Sequence, residues 1–74
     1  MKIQFDKLCT DKGITINKLA NDMTEANHFK NIHSAEVVIY KHIKGKTKHP
    51  VSYDILKWLS EYFNVSGAEL FEWN

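Results

Sequence analysis

The sequence predicts an all-α domain, a small bundle of five helices. Three observations indicate this fold class: apolar residues recur at helical spacing, capping residues precede these apolar stripes, and glycine or asparagine follows most of them. Because the chain has 74 residues, we expect one domain that spans residues 1–74. Its one cysteine excludes an internal disulfide.

The first two helices are predicted near the start of the chain. The first amphipathic stretch ends at Gly13, a residue suited to a left-handed helix end. Thr15 then stands as an N-cap before the second helix. Met23 and Ala26, spaced by three, let this helix continue to about Asn27, although no glycine marks its end. Phe29 and Ile32 should then hold the following loop against the core.

The third helix is predicted over residues 34–44, and it has two contrasting faces. Ser34 opens it as a capping residue, and Gly45 permits a left-handed turn at its end. Pro50 disfavours helical geometry in the exit loop. The face expected to dock against the core consists of Ala35, Val38, Ile39, His42 and Ile43. The opposite face consists of Glu36, Val37, Tyr40, Lys41 and Lys44.

The last two helices are predicted from two further caps. Ser52 can cap a fourth helix, and Asn64 is suited to its end. Ser66, with a glutamate three residues later, forms a capping box for a short fifth helix over residues 67–71. No stretch of the chain predicts a β-strand, so the sequence indicates helices alone.

Basic residues cluster where the third helix ends. The net charge is only +1, but Lys41, Lys44, Lys46 and Lys48 fall together. All ten basic residues, histidines aside, are lysines, so the bidentate contact of arginine to guanine is excluded. No apolar run approaches the ~20 residues that cross a bilayer, and the start is too polar for a signal peptide. We therefore expect a cytoplasmic protein without a membrane partner.

Residues that could carry catalysis or bind a metal are better explained by the fold. No two of the four histidines lie on adjacent turns of one helix, so we expect no metal site. His42 is expected to border the core, and Cys9 to be a buried, inert thiol. The serines at helix starts are caps without an accompanying base. We therefore expect neither an enzyme nor a cofactor.

Four short motifs carry a resemblance to a known family. They are D-K-G-I-T at 11–15, K-L-A at 18–20, I-K-G-K at 43–46 followed by Pro50, and Y-F-N-V-S-G-A-E-L-F at 62–71. In their order and spacing they resemble the Cro and phage-repressor type of helix-turn-helix regulators. The resemblance implies a lambda-repressor-like bundle whose second helix crosses the DNA backbone. Its third helix would enter the major groove of double-stranded DNA, usually in a dimer.

The chain departs from the family pattern in three places, the least of which is one extra residue between Pro50 and the fourth helix. The connection between the second and third helices is longer than in members with a tight turn, and it lacks the glycine usually found there. Ile16 stands where the family often has a glutamine that bonds a phosphate. One customary anchor of the second helix on DNA is therefore missing.

Carried over by position, the resemblance implies a DNA-binding set on and after the third helix. Ser34 and Ala35 would lie at the start of the helix, and Lys44 and Lys46 beside phosphates. The residues facing bases would be Glu36, Val37, Tyr40 and Lys41. Glu36 has an alternative role, since a negative charge in the first turn of a helix suits the positive end of its dipole. The complete implied set is Ser34, Ala35, Glu36, Val37, Tyr40, Lys41, Lys44, Lys46 and Lys48.

The implied function is transcription regulation of prokaryotic or phage type. Repression is favoured because the chain has no separate effector domain. A homodimer is expected through Trp58, Tyr62, Phe71 and Trp73, for which ordinary core packing is the alternative. Two other functions stay open: an antitoxin-like or accessory module that binds a toxin-like protein partner, and a DNA-bending excision factor.

Overall fold

The computed structural model describes residues 2–46 and 51–72. In these ranges the chain forms four α-helices, one 3-10 helix and two short strands. In chain order the elements are β1 (Lys2–Ile3), α1 (Phe5–Lys12), α2 (Ile16–Glu25), α3 (Ile32–Ile43), α4 (Tyr53–Phe63), the 3-10 helix (Gly67–Leu70) and β2 (Phe71–Glu72).

The expected helix count of five is wrong for this part of the chain, although its all-helical character is confirmed. The element predicted over residues 67–71 is a single 3-10 turn over Gly67–Leu70, and Phe71 leaves it in extended conformation. The two-residue strands are also new. They pair antiparallel, with Lys2 opposite Glu72 and Ile3 opposite Phe71, and thereby join the two ends of the described chain.

Hydroxyl caps at three helix starts agree with the prediction. The Thr15 hydroxyl accepts a hydrogen bond from the Lys18 backbone N–H at 3.0 Å. Ser52 caps α4 by accepting from Ile55 N–H, and Ser66 caps the 3-10 helix in the same way. Each bond satisfies one of the backbone donors that a helix leaves unpaired in its first turn.

A left-handed residue follows each of the four α-helices. The left-handed geometry at Gly13, Gly45 and Asn64 was expected, whereas at Asn27 it ends α2 earlier than expected. Asn27 has φ +65°. Its N–H donates to the Thr24 carbonyl, and the His28 N–H donates to the Met23 carbonyl, both in the last turn of α2. The helix therefore ends at Glu25, because asparagine tolerates left-handed geometry and takes the place of a glycine.

The core forms where β1, α1, α2 and α3 meet, with α4 and the 3-10 helix closing one side. The packing of α2 against α3 is the most extensive between elements. Phe29 and Ile32 pack against this core, as expected, but Ile32 is the first residue of α3 and not part of a loop. The fully buried large side chains are Ile3, Phe5, Leu19, Met23, Ile39, Leu59 and Leu70.

None of the helices in residues 2–46 and 51–72 is long and apolar enough to cross a membrane.

Candidate nucleic-acid interface

The helix α3 begins two residues before Ser34, the expected capping residue. Asn31 is the actual cap: its side-chain oxygen accepts a hydrogen bond from the Ser34 backbone N–H at 2.8 Å. The helix therefore gains Ile32 and His33 at its start. Ser34 lies half-buried inside the first turn, where its backbone is held by the cap.

The inner face of α3 fixes the helix in the core. Ala35, Ile39 and His42 are buried, while Val38 and Ile43 are half-buried beside them. This is the docking face that the helical spacing predicts. Ala35, expected at the mouth of a DNA-binding helix, has no exposed surface, so its side chain cannot touch a ligand. Its place in the DNA-binding set conflicts with this burial, because helical spacing puts Ala35 on the docking face.

The outer face of α3 carries an open groove of about 450 Å³. Its residues recur every three or four positions along α3, so they form one stripe that continues past the end of the helix. Val37 and Tyr40 are two of the three large apolar side chains that are exposed in the described ranges. We call this surface the α3 groove; its lining residues are His33, Glu36, Val37, Tyr40, Lys41, Lys44 and Lys46.

The structure thus brings together six members of the expected set. Glu36, Val37, Tyr40, Lys41, Lys44 and Lys46 all line the α3 groove. Ser34 does not line it, and Lys48 lies outside the described residues. His33 lines the groove without having been expected there. Its position three residues before Glu36 puts His33 on the same helical face, but only if the helix already includes His33. That follows from the start of α3 at Ile32.

A backbone turn positions the last lysine of the groove. Gly45 has φ +69°, and its N–H donates to the His42 carbonyl at 3.0 Å. The Lys46 N–H donates to the Lys41 carbonyl at 2.9 Å, which completes a Schellman motif. The chain folds back over the end of the helix, so Lys46 lines the same groove as Lys41 and Lys44.

His42 lies on the buried face of α3, opposite the α3 groove. Its Nδ1 accepts a hydrogen bond from the Ile3 backbone N–H at 3.4 Å, and its ring meets Phe5 edge-on with centroids 5.6 Å apart. Burial lowers the pKa of this imidazole below its usual value, so the neutral form is favoured. Its Nε2 is buried without a hydrogen-bond partner in the described part of the chain. His42 is therefore a core residue that ties α3 to β1.

Two of the aromatic residues expected at a dimer interface make contacts within the chain. Trp58 stacks on Tyr62 at 4.6 Å between centroids, and His28 meets Trp58 edge-on. The Tyr62 hydroxyl donates to Asp22 Oδ2 at 2.6 Å, which connects α4 to α2. Phe71 also packs against the core, and Trp73 lies outside the described residues.

Groups able to hold a metal ion do not converge in residues 2–46 and 51–72. No cluster of three or more histidine, cysteine, aspartate or glutamate side chains is found there. Cys9 is buried, and burial raises the pKa of its thiol to about 11, which suits an unreactive side chain. The α3 groove is therefore the surface on which a ligand is best sought.

Neither a family model, nor a curated protein, nor a solved structure matches this chain.

Proposed function

We propose that this chain is a sequence-specific double-stranded DNA-binding protein, a transcription regulator of prokaryotic or phage type that acts as a repressor. One observation carries the proposal: the α3 groove combines three lysines, on the helix and just after it, with polar and apolar side chains, while the opposite face of α3 is docked in the core. A helix held in this way is rigid on one side and free to meet a ligand on the other. We place this free side in the major groove, which is wide enough for an α-helix.

The side chains of the α3 groove offer suitable chemistry for both parts of DNA. Lysine ammonium groups are donors to phosphate and to guanine O6 and N7. Val37 and Tyr40 are exposed by 38% and 45%, and so can make apolar contacts with base edges such as the thymine methyl. Lys41 and Lys44 lie at the end of α3 and Lys46 follows it, while Glu36 and Val37 lie near the middle of the helix and Tyr40 lies next to Lys41.

The pairing of α2 with α3 supports a lambda-repressor-like arrangement. The two helices pack closely and are joined by residues 26–31. Ile16, at the position where a glutamine anchors the second helix in related regulators, is half-buried and packs against the core. In this proposal α2 supports α3, and the lysines of the α3 groove supply the anchoring on phosphates.

A homodimer is part of the proposal, because two copies of α3 read a two-fold site more tightly than one. Trp58, Tyr62 and Phe71 keep part of their surface exposed, and these parts, together with Trp73, form the pairing surface we propose. Sedimentation analysis over a range of protein concentrations tests this point. The mass of one 8.6 kDa chain in the absence of DNA, together with one chain per duplex in its presence, argues against a dimer.

The central experiment is binding to a pool of random duplex DNA between 50 and 200 mM salt, because affinity that depends on phosphate contacts falls steeply as the salt concentration rises. If Lys41, Lys44 and Lys46 each neutralise one phosphate, the log-log slope is about −2.7 per chain, and affinity falls about 40-fold across this range. A dimer doubles the slope. No binding at low salt, or binding that ignores salt, would sink the proposal.

The alternative of an antitoxin-like module with a toxin-like partner would be favoured by an exposed apolar patch that includes Phe29, Ile32 or Trp58. All three are half-buried and pack against the core, so they keep only part of their surface for a partner. A DNA-bending excision factor would use the same α3 groove. Fluorescence transfer between the ends of a bound duplex distinguishes bending from simple occupation.

A further inference from the structure

The carboxylate of Glu36 does not contribute to the stability of α3 in either of the two ways common for a glutamate on a helix. Its expected alternative role was to stabilise the first turn of the helix, but α3 begins at Ile32, so Glu36 is the fifth helical residue. The favourable interaction of a carboxylate with the helix dipole is limited to the first turn. The residue four positions later is Tyr40, so the common salt bridge to a lysine one turn away is absent.

The surroundings of Glu36 make its charge more unusual. Its side chain is half-buried in the α3 groove and makes no hydrogen bond or ion pair with the residues described. Among the lining residues it is the single carboxylate, beside Lys41, Lys44 and Lys46. A surface that served only to attract phosphates would be stronger without it, because a carboxylate repels the DNA backbone.

Within the proposed function, the partner of Glu36 must be a hydrogen-bond donor on a base. The exposed donors of the major groove are the amino groups of cytosine (N4) and adenine (N6), and glutamate typically accepts from cytosine N4. Val37, the next residue, is exposed and adds an apolar contact for the neighbouring edge of the pyrimidine or for a thymine methyl.

We propose that Glu36 is a specificity-determining residue that reads cytosine, so that each half-site contains a C·G pair at one fixed position. This inference rests on the proposed DNA-binding function and names the base that α3 selects. Selection works mainly by exclusion. A carboxylate pressed against a base edge without a donor loses its water and gains no hydrogen bond, which weakens binding to every other base at that position.

Sequence selection from a random duplex pool tests this inference in three proteins: the natural chain, Glu36→Gln and Glu36→Ala. The natural chain should select cytosine at one position of each half-site by about tenfold over other bases. Glu36→Gln should move the preference at that position to adenine, because glutamine donates to N7 and accepts from N6. Glu36→Ala should lose preference there and keep it elsewhere.

Overall affinity is not the criterion, because removal of the negative charge weakens the repulsion from phosphates but also removes the hydrogen bond to cytosine. Glu61→Gln is the matched control: it makes the same change on the exposed surface of α4, outside the α3 groove, and should leave the selected sequence unchanged. Circular dichroism and thermal unfolding show whether each variant remains folded.

The outcomes separate this inference from the proposed function. If the natural chain does not bind DNA, the proposed function is wrong. If it binds and selects a sequence, but both Glu36 variants select the same base at every position, the assignment of Glu36 is wrong while the function stands. Selection of a base other than cytosine at the Glu36-dependent position also overturns the assignment.

Discussion

Tyr62 on α4 and Asp22 on α2 are joined by a 2.6 Å hydrogen bond in which the tyrosine hydroxyl donates to the carboxylate. The Lys18 ammonium approaches the same oxygen to 2.9 Å. The Tyr62 hydroxyl and then Lys18 lower the pKa of Asp22, while burial and then Asp22 raise the pKa of Tyr62 above its usual range. The contact fixes α4 against α2, and α2 is the main support of α3.

Removal of the Tyr62 hydroxyl should therefore destabilise the fold. For Tyr62→Phe we expect the free energy of unfolding to fall by about 1–2 kcal/mol, because a hydrogen bond to a charged group is lost while the ring contacts remain. Urea denaturation followed by circular dichroism measures this change. Tyr53→Phe is the matched control, since Tyr53 is 71% exposed, and it should change stability by no more than about 0.5 kcal/mol. Equal effects of both variants would contradict a stabilising role for the bond.

The buried imidazole of His42 should make stability depend on pH. Its pKa is lowered in the folded state from the ordinary value of 6.5, so the unfolded chain binds the additional proton first as pH falls. Its contribution to the free energy of unfolding is thus present above pH 6.5 and decreases as the pH falls below it.

Urea denaturation between pH 7.5 and 5 tests this dependence in the natural chain and in His42→Gln. The variant should be less stable at neutral pH, yet it should lose less stability on acidification. His33→Gln, which changes an exposed histidine, should retain the pH dependence of the natural chain. An unchanged slope in His42→Gln would show that other groups control the acid sensitivity.

Gly45 should resist substitution for a conformational reason alone. A Cβ built on it meets no atom within 4 Å, but its φ of +69° is costly for other residues. Gly45→Ala should lower the free energy of unfolding by about 1 kcal/mol. Gly67→Ala provides the control, because Gly67 has equal space and no left-handed φ, and it should be neutral or slightly stabilising. Thermal unfolding of both variants is sufficient, and a neutral Gly45→Ala would argue against the turn observed after α3.

The lysines at the end of α3 should act on affinity and not on sequence preference. Replacement of Lys44 and Lys46 together by alanine should flatten the log-log salt slope by about 1.8 per chain, because two phosphate contacts are lost. The selected sequence should stay the same. The control is Lys7→Ala with Lys57→Ala, since both lysines are exposed and lie outside the α3 groove. A control pair that flattens the slope equally would assign the salt effect to overall charge.

Local signals in the sequence accounted for most helix boundaries, Asn64 included, but not for those at Asn27 and Asn31. Thr15 and Ser52 each precede an apolar stripe, and each caps the helix that carries it. Gly13 adopts the left-handed conformation almost without cost. Asparagine is ambiguous, since Asn27 ends a helix and Asn31 begins one, only four residues apart. The residue type alone cannot say which role it takes.

The candidate site was predictable in outline from the period of α3 but not in its edges. The spacing of Glu36, Val37 and Tyr40 places them on one face whatever the exact helix start. Ala35 lies on the docking face by the same period, although the family resemblance put it at the helix mouth, and His33 joins the groove because α3 starts at Ile32. Pairing of β1 with β2 could not be read from the sequence, since two-residue strands at opposite ends of the chain have no local pattern.

The pairing of β1 with β2 has a consequence for the order in which the protein matures during its synthesis. Ile3 lies opposite Phe71, and its backbone N–H donates to His42. The strand β1 therefore contacts residues that are synthesised much later. The helices α1 to α3 can associate early from local contacts, but the β1–β2 ladder cannot form until Phe71 and Glu72 have emerged from the ribosome. A nascent chain that ends before Phe71 therefore lacks the strand pairing that holds Ile3, the hydrogen-bond donor to His42 of α3, in place.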